Sequence, residues 1–130
     1  KKILKQKFVL LASRIEEDLE VSVEFINGDN SYWTPTPLNE IEDLQIKGVI
    51  DIGDDQSEFE KLVSLVHEIG HAIFYQNSDM KNHKRILLFE ESLAWYLGYN
   101  YALKVGIEID LKQYADCVER ALKLYVKELK

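Results

Sequence analysis

The sequence predicts a single α+β domain over residues 1–130, in which one helix precedes a small three-stranded sheet and three longer helices follow it. Two patterns predict this class. Apolar side chains recur every three or four residues in four long segments, whereas alternating or β-branched segments occur only between residues 21 and 52. No internal repeat or long linker divides the chain, and 130 residues are enough to bury a hydrophobic core without disulfides.

The first elements are predicted to be a helix and two strands. Residues 2–19 have the apolar spacing of an amphipathic helix, and residues 21–26 alternate apolar and polar side chains as a half-buried strand does. A turn at Asn27 leads to residues 31–33, which are expected to start a second strand that pairs back on the first as a hairpin. Residues 34–37 contain two prolines and therefore form a loop.

A third strand and a buried helix come next. Residues 46–52 are apolar and rich in β-branched side chains, which favours a strand. Ser57 is a suitable N-cap for the following helix, and Glu60 completes a capping box three residues later. This helix is expected to run to Gln76, and it is apolar around most of its circumference, as a buried helix is. The polar residues 77–83 then form a loop.

Two long helices are predicted for the rest of the chain. The first covers residues 85–104, and its inward side is expected to consist of Leu88, Ser92, Trp95, Tyr99 and Ala102. A glycine inside a helix costs about 1 kcal/mol relative to alanine, so Gly98 predicts close packing against another backbone. Asp110 or a neighbour caps the last helix, residues 111–129, whose inward side chains are expected to be Tyr114, Cys117, Val118, Ala121, Leu122 and Tyr125.

The charge and the cysteine content limit the classes of function. The net charge of −7 argues against general nucleic-acid binding, which requires a basic face, so no nucleic-acid partner is expected. No apolar run is long enough to span a bilayer, so no membrane partner is expected either. Cys117 is the only cysteine, which excludes an internal disulfide and fits a reducing compartment, and a cytoplasmic location is therefore expected.

The strongest functional signal lies in the buried helix, where residues 67–71 read His-Glu-Ile-Gly-His. Histidines four positions apart lie on one face of a helix, with Cβ atoms about 5–6 Å apart, so His67 and His71 can bind one metal ion. This is the His-Glu-x-x-His zinc motif, in which Glu68 is the general base. The alternative is a pair of hydrogen-bonded core histidines beside a surface glutamate. Such polar side chains in a buried helix need partners, however, and a zinc ion supplies them.

A third metal ligand must come from elsewhere in the chain, because a catalytic zinc site usually has three protein ligands and leaves its fourth position to water. Asp79 and His83 lie in the loop after the motif, and Glu90 and Glu91 lie near the start of the next helix. An antiparallel helix brings its start back alongside the ligand face, which favours the two glutamates. The alternative is that both are ordinary acidic residues of a first helical turn.

The motif and the helical glutamate after it resemble the zinc peptidases whose third ligand is glutamate. In several of these the ligand opens a pattern of Glu, small residue, apolar residue, Ala, any residue and aromatic residue, which residues 91–96 match. The resemblance implies a zincin-like core in which His67, His71 and Glu91 bind Zn2+. For Glu90 the resemblance implies one of two roles: Glu90 contacts a metal ligand and supports it, or Glu90 is itself an alternate ligand.

The order of the elements resembles the ImmA/IrrE family still more closely. These are small intracellular zinc peptidases common in bacteria, phages and mobile elements, with an N-terminal helix, a small sheet, the motif helix and a second helix that holds a glutamate. The resemblance implies a zinc-dependent endopeptidase of narrow specificity that acts on a regulatory protein. The alternative is a catalytically silent, zinc-bearing binding or sensor module of a phage or mobile-element regulatory system. Glu68 favours the enzyme, because a purely structural zinc site needs no base.

Two further expectations concern the substrate. In related zinc peptidases the strand before the metal helix pairs with the substrate, so residues 46–52 are expected to bind a protein or peptide segment in extended conformation. One additional hydrogen-bond donor usually stabilises the developing oxyanion. His83 and Tyr96 are the candidates for this donor, together with Tyr75 and Tyr99.

Overall fold

The structure of the protein is a computed structural model, and it describes residues 2–77 and 87–129. Its elements in chain order are α1 (Lys2–Leu19), β1 (Val21–Ile26), β2 (Tyr32–Pro35), a 3-10 turn (Leu38–Glu40), α2 (Ile41–Leu44), β3 (Gly48–Gly53), α3 (Glu58–Asn77), α4 (Leu87–Lys104) and α5 (Leu111–Leu129). The predicted α+β class is confirmed, with one helix before a three-stranded sheet and three long helices after it. The short α2 lies in the connection between β2 and β3.

β3 is the central strand of the sheet, with β1 on one side and β2 on the other. It runs parallel to β1, with Val23 beside Ile50, and antiparallel to β2, with Trp33 beside Ile50. The expectation that β1 and β2 pair as a hairpin is therefore wrong. The central position buries Ile50 and Ile52 completely, whereas β2 is only four residues long with half-exposed side chains and suits a sheet edge.

The position of β3 also contradicts the expected substrate contact. Both edges of β3 are paired with other strands, so the expectation that an extended segment pairs with residues 46–52 is wrong. Within the described residues, β2 pairs with β3 alone and keeps its second edge unpaired. An added strand would therefore have to join the sheet beside β2 or beside β1 rather than at β3.

The helices α1 and α3 pack against each other and against the sheet to form the core. The large side chains buried completely there are Leu11, Ile15, Val21, Ile50, Ile52, Leu62, Leu65, Val66 and Ile69. α3 begins with the predicted capping box, in which Ser57 N donates to Glu60 Oε1 at 2.9 Å and Glu60 N donates to Ser57 Oγ at 3.1 Å. This cap satisfies N–H groups at the start of the helix and so determines where the buried helix begins.

α4 runs antiparallel to α3 and crosses it with backbone close to backbone. A Cβ atom at Gly98 would overlap the Val66 carbonyl, and a Cβ atom at Gly70 would overlap the Ala94 carbonyl. The two glycines therefore let the helices approach more closely than residues with side chains would permit. The close packing predicted at Gly98 is confirmed, and the approach places the first half of α4 beside the second half of α3.

The inward side of α4 differs from the predicted one at one described position. Trp95 and Ala102 are buried and Tyr99 is half-buried as expected, but Ser92 is exposed, so its predicted inward orientation is wrong. The buried residue here is its neighbour Glu91. Successive residues of a helix point about 100° apart, so the inward orientation of Glu91 turns Ser92 away from α3.

α5 packs against α4 and begins at the predicted cap, where Gln113 N donates to Asp110 Oδ2 at 3.1 Å. Of its predicted inward side, Tyr114 is buried and the half-buried members are Cys117, Val118, Ala121 and Leu122. The side chains of Tyr125 and Leu88 lie outside the described part of the structure. Among residues 2–77 and 87–129, no helix combines the length and the apolar character needed to cross a membrane.

Candidate metal centre

His67 and His71 lie on one face of α3, as their spacing predicts. Their Nε2 atoms are 3.1 Å apart, and the two rings meet at an angle of 83° with centroids 4.6 Å apart. Both side chains are largely buried, with exposed fractions of 14% and 12%. Two buried imidazole nitrogens that point at each other need a shared partner, because only one of them can donate a hydrogen to the other.

Glu91 supplies that partner from the first half of α4. Its Oε1 is 3.1 Å from His67 Nε2, and its Oε2 is 2.8 Å from His71 Nε2. The ligand atoms of these three residues all lie within 4.8 Å of one another. The close crossing of α3 and α4 thus brings together the three residues that the family resemblance selected.

A zinc ion fits this set of donor atoms. Two imidazoles and one carboxylate are a ligand set found in catalytic zinc sites, with metal–ligand bonds of about 2.0–2.2 Å. Tetrahedral bonds of that length separate the ligand atoms by about 3.3 Å. The separations found here, 2.8 and 3.1 Å, are close to that value, so a divalent ion requires only small movements of the three side chains.

Glu90 lies outside the group of three and contacts the other nitrogen of one histidine. Its Oε2 is 3.1 Å from His71 Nδ1. A carboxylate that accepts a hydrogen bond from one ring nitrogen keeps the proton there and leaves the second nitrogen free to bind a metal. Glu90 is therefore positioned to orient His71, whereas Glu91 is positioned among the atoms that would bind the ion.

His67 is oriented by an aromatic ring rather than by a carboxylate. Trp95 lies against it, with ring centroids 4.1 Å apart and planes tilted by 32°. Tyr114 in turn packs edge-on against Trp95, and its hydroxyl donates to the Trp95 carbonyl at 2.5 Å. Within the described residues, His67 Nδ1 is buried without a hydrogen-bond partner. The apolar pattern of α4 predicted that Trp95 points inward but did not predict its contact with His67. The position of Trp95, one helical turn after Glu91, was the signal that could have indicated this contact.

The protonation states of His67, His71 and Glu91 are coupled through the contacts of Glu91 with both histidines. Burial opposes ionisation of Glu91, but hydrogen bonds from His67 and His71 outweigh it and lower the pKa of Glu91 to about 2. Burial also opposes protonation of His71, yet the surrounding carboxylates, led by Glu91, raise the pKa of His71 above its ordinary value. For His67, burial prevails and lowers the pKa. The raised pKa of His71 favours its protonated form beside Glu91, and a bound metal ion would take the place of that proton.

Glu68 lines the same pocket as these three side chains and is only 7% exposed. Burial raises the pKa of its carboxyl to about 8, with His71 opposing the rise and Glu91 adding to it. A carboxyl group with a pKa near neutrality can both accept and release a proton under physiological conditions. The environment of Glu68 therefore suits the general base that the motif predicts.

The group of three and Glu68 open onto a pocket of about 610 Å³. The loop before β2 and the first residues of β2 line part of it, and α5 lines another part with Ala121 and Leu124. A volume of this size is within the range of about 300–1,000 Å³ that is typical of ligand sites. The contribution of α5 was not predicted, because α5 lies far from the motif in the chain.

A hydrogen-bond network attaches the loop before β2 to α3. Gly53 N donates to Ser31 Oγ at 3.2 Å, and Gln56 Nε2 donates to the Gly53 carbonyl at 2.7 Å. Ser64 Oγ, on the motif helix, donates to Gln56 Oε1 at 2.9 Å. The network therefore attaches Ser31, the residue directly before β2, to the helix that carries His67 and His71. No local pattern indicated these residues, because polar side chains of this kind are common in loops.

None of the described candidates for the oxyanion donor lines this pocket. Tyr96 is 62% exposed and borders a separate groove between α4 and α5. Tyr75 and Tyr99 pack against other aromatic rings. His83, like the ligand candidate Asp79, lies outside the described residues.

No protein-family model matches this chain, and neither a curated protein nor a solved structure matches it. The resemblance to the ImmA/IrrE proteins therefore rests on the motif residues and on the order of the elements. What the protein does has to be inferred from the chemistry of the site.

Proposed function

We propose that this protein is a zinc-dependent endopeptidase of the ImmA/IrrE type. The proposal depends on one observation, the convergence of His67, His71 and Glu91 beside the buried Glu68 in one pocket. The order of helix, small sheet, motif helix and second ligand helix supports the family resemblance. A structural zinc site usually has four protein ligands, whereas the residues that the structure describes supply three, which leaves a position for water or substrate.

The chain would hold the ion through three side chains. His67 and His71 bind through their Nε2 atoms and Glu91 through its carboxylate, while Glu90 and Trp95 keep the two imidazole rings in place. Zinc, when bound, supplies the Lewis-acid chemistry that activates a water molecule and polarises a carbonyl group. Because the ligands already lie close together, little reorganisation is needed before that chemistry can take place.

Glu68 moves the proton in this scheme. Its carboxylate accepts a proton from the attacking water and then donates it to the nitrogen of the leaving amine. A nearby dication favours the ionised form of a carboxyl group, so a bound ion would lower the raised pKa of Glu68 and would prepare its carboxylate to accept the proton.

An extended protein segment is the substrate that suits the sheet best. In the part of the chain that the structure describes, one edge of β2 is unpaired, and Tyr32 and Trp33 of this strand line the pocket. Pairing along a strand edge binds the main chain of a substrate with little regard to its sequence. The network of Ser31, Gln56 and Ser64 preorganises this edge, so the proposed docking strand is β2 and not β3.

The Glu68→Gln variant tests the proposal, because glutamine keeps the shape of the side chain but cannot accept the proton. We expect unchanged zinc content and an unchanged fold, while the rate of hydrolysis of a synthetic peptide library, measured by mass spectrometry, falls about 10²–10⁴-fold. His67→Ala is the companion variant and should lose zinc. Hydrolysis at the wild-type rate by Glu68→Gln would contradict the assigned base, and zinc-loaded wild type that cleaves nothing would favour the silent binding module.

A further inference from the structure

The pocket beside the metal ligands has an apolar part that the proposed chemistry does not use. Trp33 of β2, Trp95 of α4, and Ala121 and Leu124 of α5 line this part, which is here called the apolar wall. The loop before β2 contributes the polar residues Asp29, Asn30 and Ser31 to the same lining. A pocket with distinct apolar and polar parts orients a ligand that has both kinds of surface, as a peptide does.

Leu124 is the most exposed member of the apolar wall. It is 66% exposed, whereas Tyr114, Val118 and Ala121 of the same helix pack with the core. A single exposed leucine needs no special explanation on its own. This one, however, lies one helical turn after Ala121 and lines the pocket that holds the metal ligands. An apolar group placed beside the metal centre would cover it and remove its surface from water.

We infer that the apolar wall is a subsite for one large apolar side chain of the substrate, next to the scissile bond, and that Leu124 determines this specificity. The inference rests on the proposed function and names the class of substrate for the same site. The small side chain of Ala121 leaves room beside Leu124, and the pocket volume of about 610 Å³ accommodates a side chain together with its flanking main chain.

The expected selectivity follows from the burial of apolar surface. One methylene group more or less in an apolar pocket changes discrimination by about 10–200-fold. A leucine side chain in the subsite should therefore be preferred over glycine by at least about 10-fold. A carboxylate on the apolar wall would lose water, and the described lining residues include no Lys or Arg to pair with it, so an aspartate side chain should be the poorest of the three.

Amino-acid hydroxamates test the subsite without requiring hydrolysis. The hydroxamate group chelates the zinc ion, and the amino-acid side chain then occupies the neighbouring part of the pocket. The Kd values of glycine, leucine and aspartate hydroxamates for the zinc-loaded protein are measured by isothermal titration calorimetry. Leucine hydroxamate is expected to bind at least about 10-fold more tightly than glycine hydroxamate, and Leu124→Asp is expected to abolish that preference.

Leu111→Asp is the matched control for Leu124→Asp. Leu111 lies on the same helix, is 61% exposed, and borders the separate groove between α4 and α5. Both positions are exposed, so both variants should keep the fold, which circular dichroism checks. A second variant, Ala121→Phe, fills the subsite and should make leucine hydroxamate bind less tightly than glycine hydroxamate.

The outcomes separate the subsite from the peptidase proposal. Equal binding of glycine and leucine hydroxamates by zinc-loaded wild type, or an equal loss of preference in the Leu111→Asp control, would overturn the subsite. A protein that prefers leucine hydroxamate in a Leu124-dependent way but cleaves no peptide would refute the peptidase proposal alone. A protein that cleaves peptides without regard to neighbouring apolar residues would refute the subsite alone.

Discussion

The close crossing of α3 and α4 makes Gly70→Ala a direct test of how the fold holds the metal centre. Gly70 immediately precedes His71, and a methyl group added there would overlap the carbonyl group of Ala94. A backbone carbonyl cannot rotate away as a flexible side chain can, so the two helices would have to separate or bend. Glu91 lies on the same stretch of α4 as Ala94, so separation would also move its carboxylate away from both imidazoles.

The size of the effect follows from two opposing contributions. Replacing glycine by alanine in a solvated helix stabilises it by about 1 kcal/mol. Inserting a methyl group into a well-packed interior costs about 1–3 kcal/mol, and a collision with backbone belongs at the upper end. We therefore expect Gly70→Ala to lower the free energy of unfolding by about 1–2 kcal/mol, and the Tm by about 3–10 °C for a chain of this size. Zinc affinity should fall at least about tenfold, because a ligand loses its orientation.

Thermal unfolding followed by circular dichroism measures the first effect, and zinc titration against a competing chelator measures the second. In Gly98→Ala the added methyl group would overlap the Val66 carbonyl of α3, so this variant should behave in the same way. The control is Asn100→Ala, at an exposed position of α4, which should be neutral or slightly stabilising. A Gly70→Ala protein with a raised Tm and full zinc affinity would refute the reasoning, because the helices would then have to lie farther apart.

Four other predictions follow from the site and its surroundings. Glu91→Ala should remove most of the zinc affinity, whereas Glu90→Ala should lower the zinc affinity by about 10–100-fold. Equilibrium dialysis with metal analysis measures both affinities. A larger loss of zinc affinity in Glu90→Ala than in Glu91→Ala would exchange the roles of the two glutamates. Gln56→Ala should lower kcat/KM for an extended peptide but leave zinc content unchanged, because Gln56 holds the edge strand and not the ligands; loss of zinc would contradict this. A chelator should lower the Tm of the zinc-loaded protein, since zinc at 100 times its Kd stabilises the fold by about 2.7 kcal/mol; an unchanged Tm would mean that the ion is not bound by the folded state. Asp18→Asn should destabilise the protein at pH 6, and progressively less as the pH falls below about 4. The reason is that a hydrogen bond from Tyr101 lowers the pKa of Asp18, and the stability contributed by the ionised carboxylate is lost as the pH falls through the folded-state pKa. Urea unfolding at several pH values measures the difference in stability between variant and wild type, and a difference that does not change with pH would exclude the carboxylate as its cause.

Local spacing was sufficient to predict most helices and the metal motif. The helical repeat places His67 and His71 on one face whatever surrounds them, and Ser57 and Glu60 cap the helix through bonds between residues three positions apart. α1 and β1 also begin and end close to where their apolar patterns predict, because one-sided burial produces those patterns. Gly98 indicated a close helix crossing, since a glycine within a helix is costly unless packing requires it.

The strand order could not be predicted in the same way. A hairpin of β1 and β2, and a sheet with β3 between them, are both compatible with the same turn after β1. The arrangement found pairs β3 with both other strands and buries Ile50 and Ile52 completely, and these contacts join residues far apart in the chain. The different positions of Glu90 and Glu91 likewise depend on which side of α4 meets α3, because adjacent helical residues point about 100° apart.

The sequence by itself therefore determined the motif helix, its cap and the kinds of side chain that could bind an ion, because these depend on residues within about one helical turn. Only the tertiary structure decided which sheet edge stays open, that Trp95 stacks on His67, and that Leu124 lies at the metal pocket. Those contacts join segments far apart in the chain, and their approach depends on how the helices and the sheet pack together to bury apolar surface.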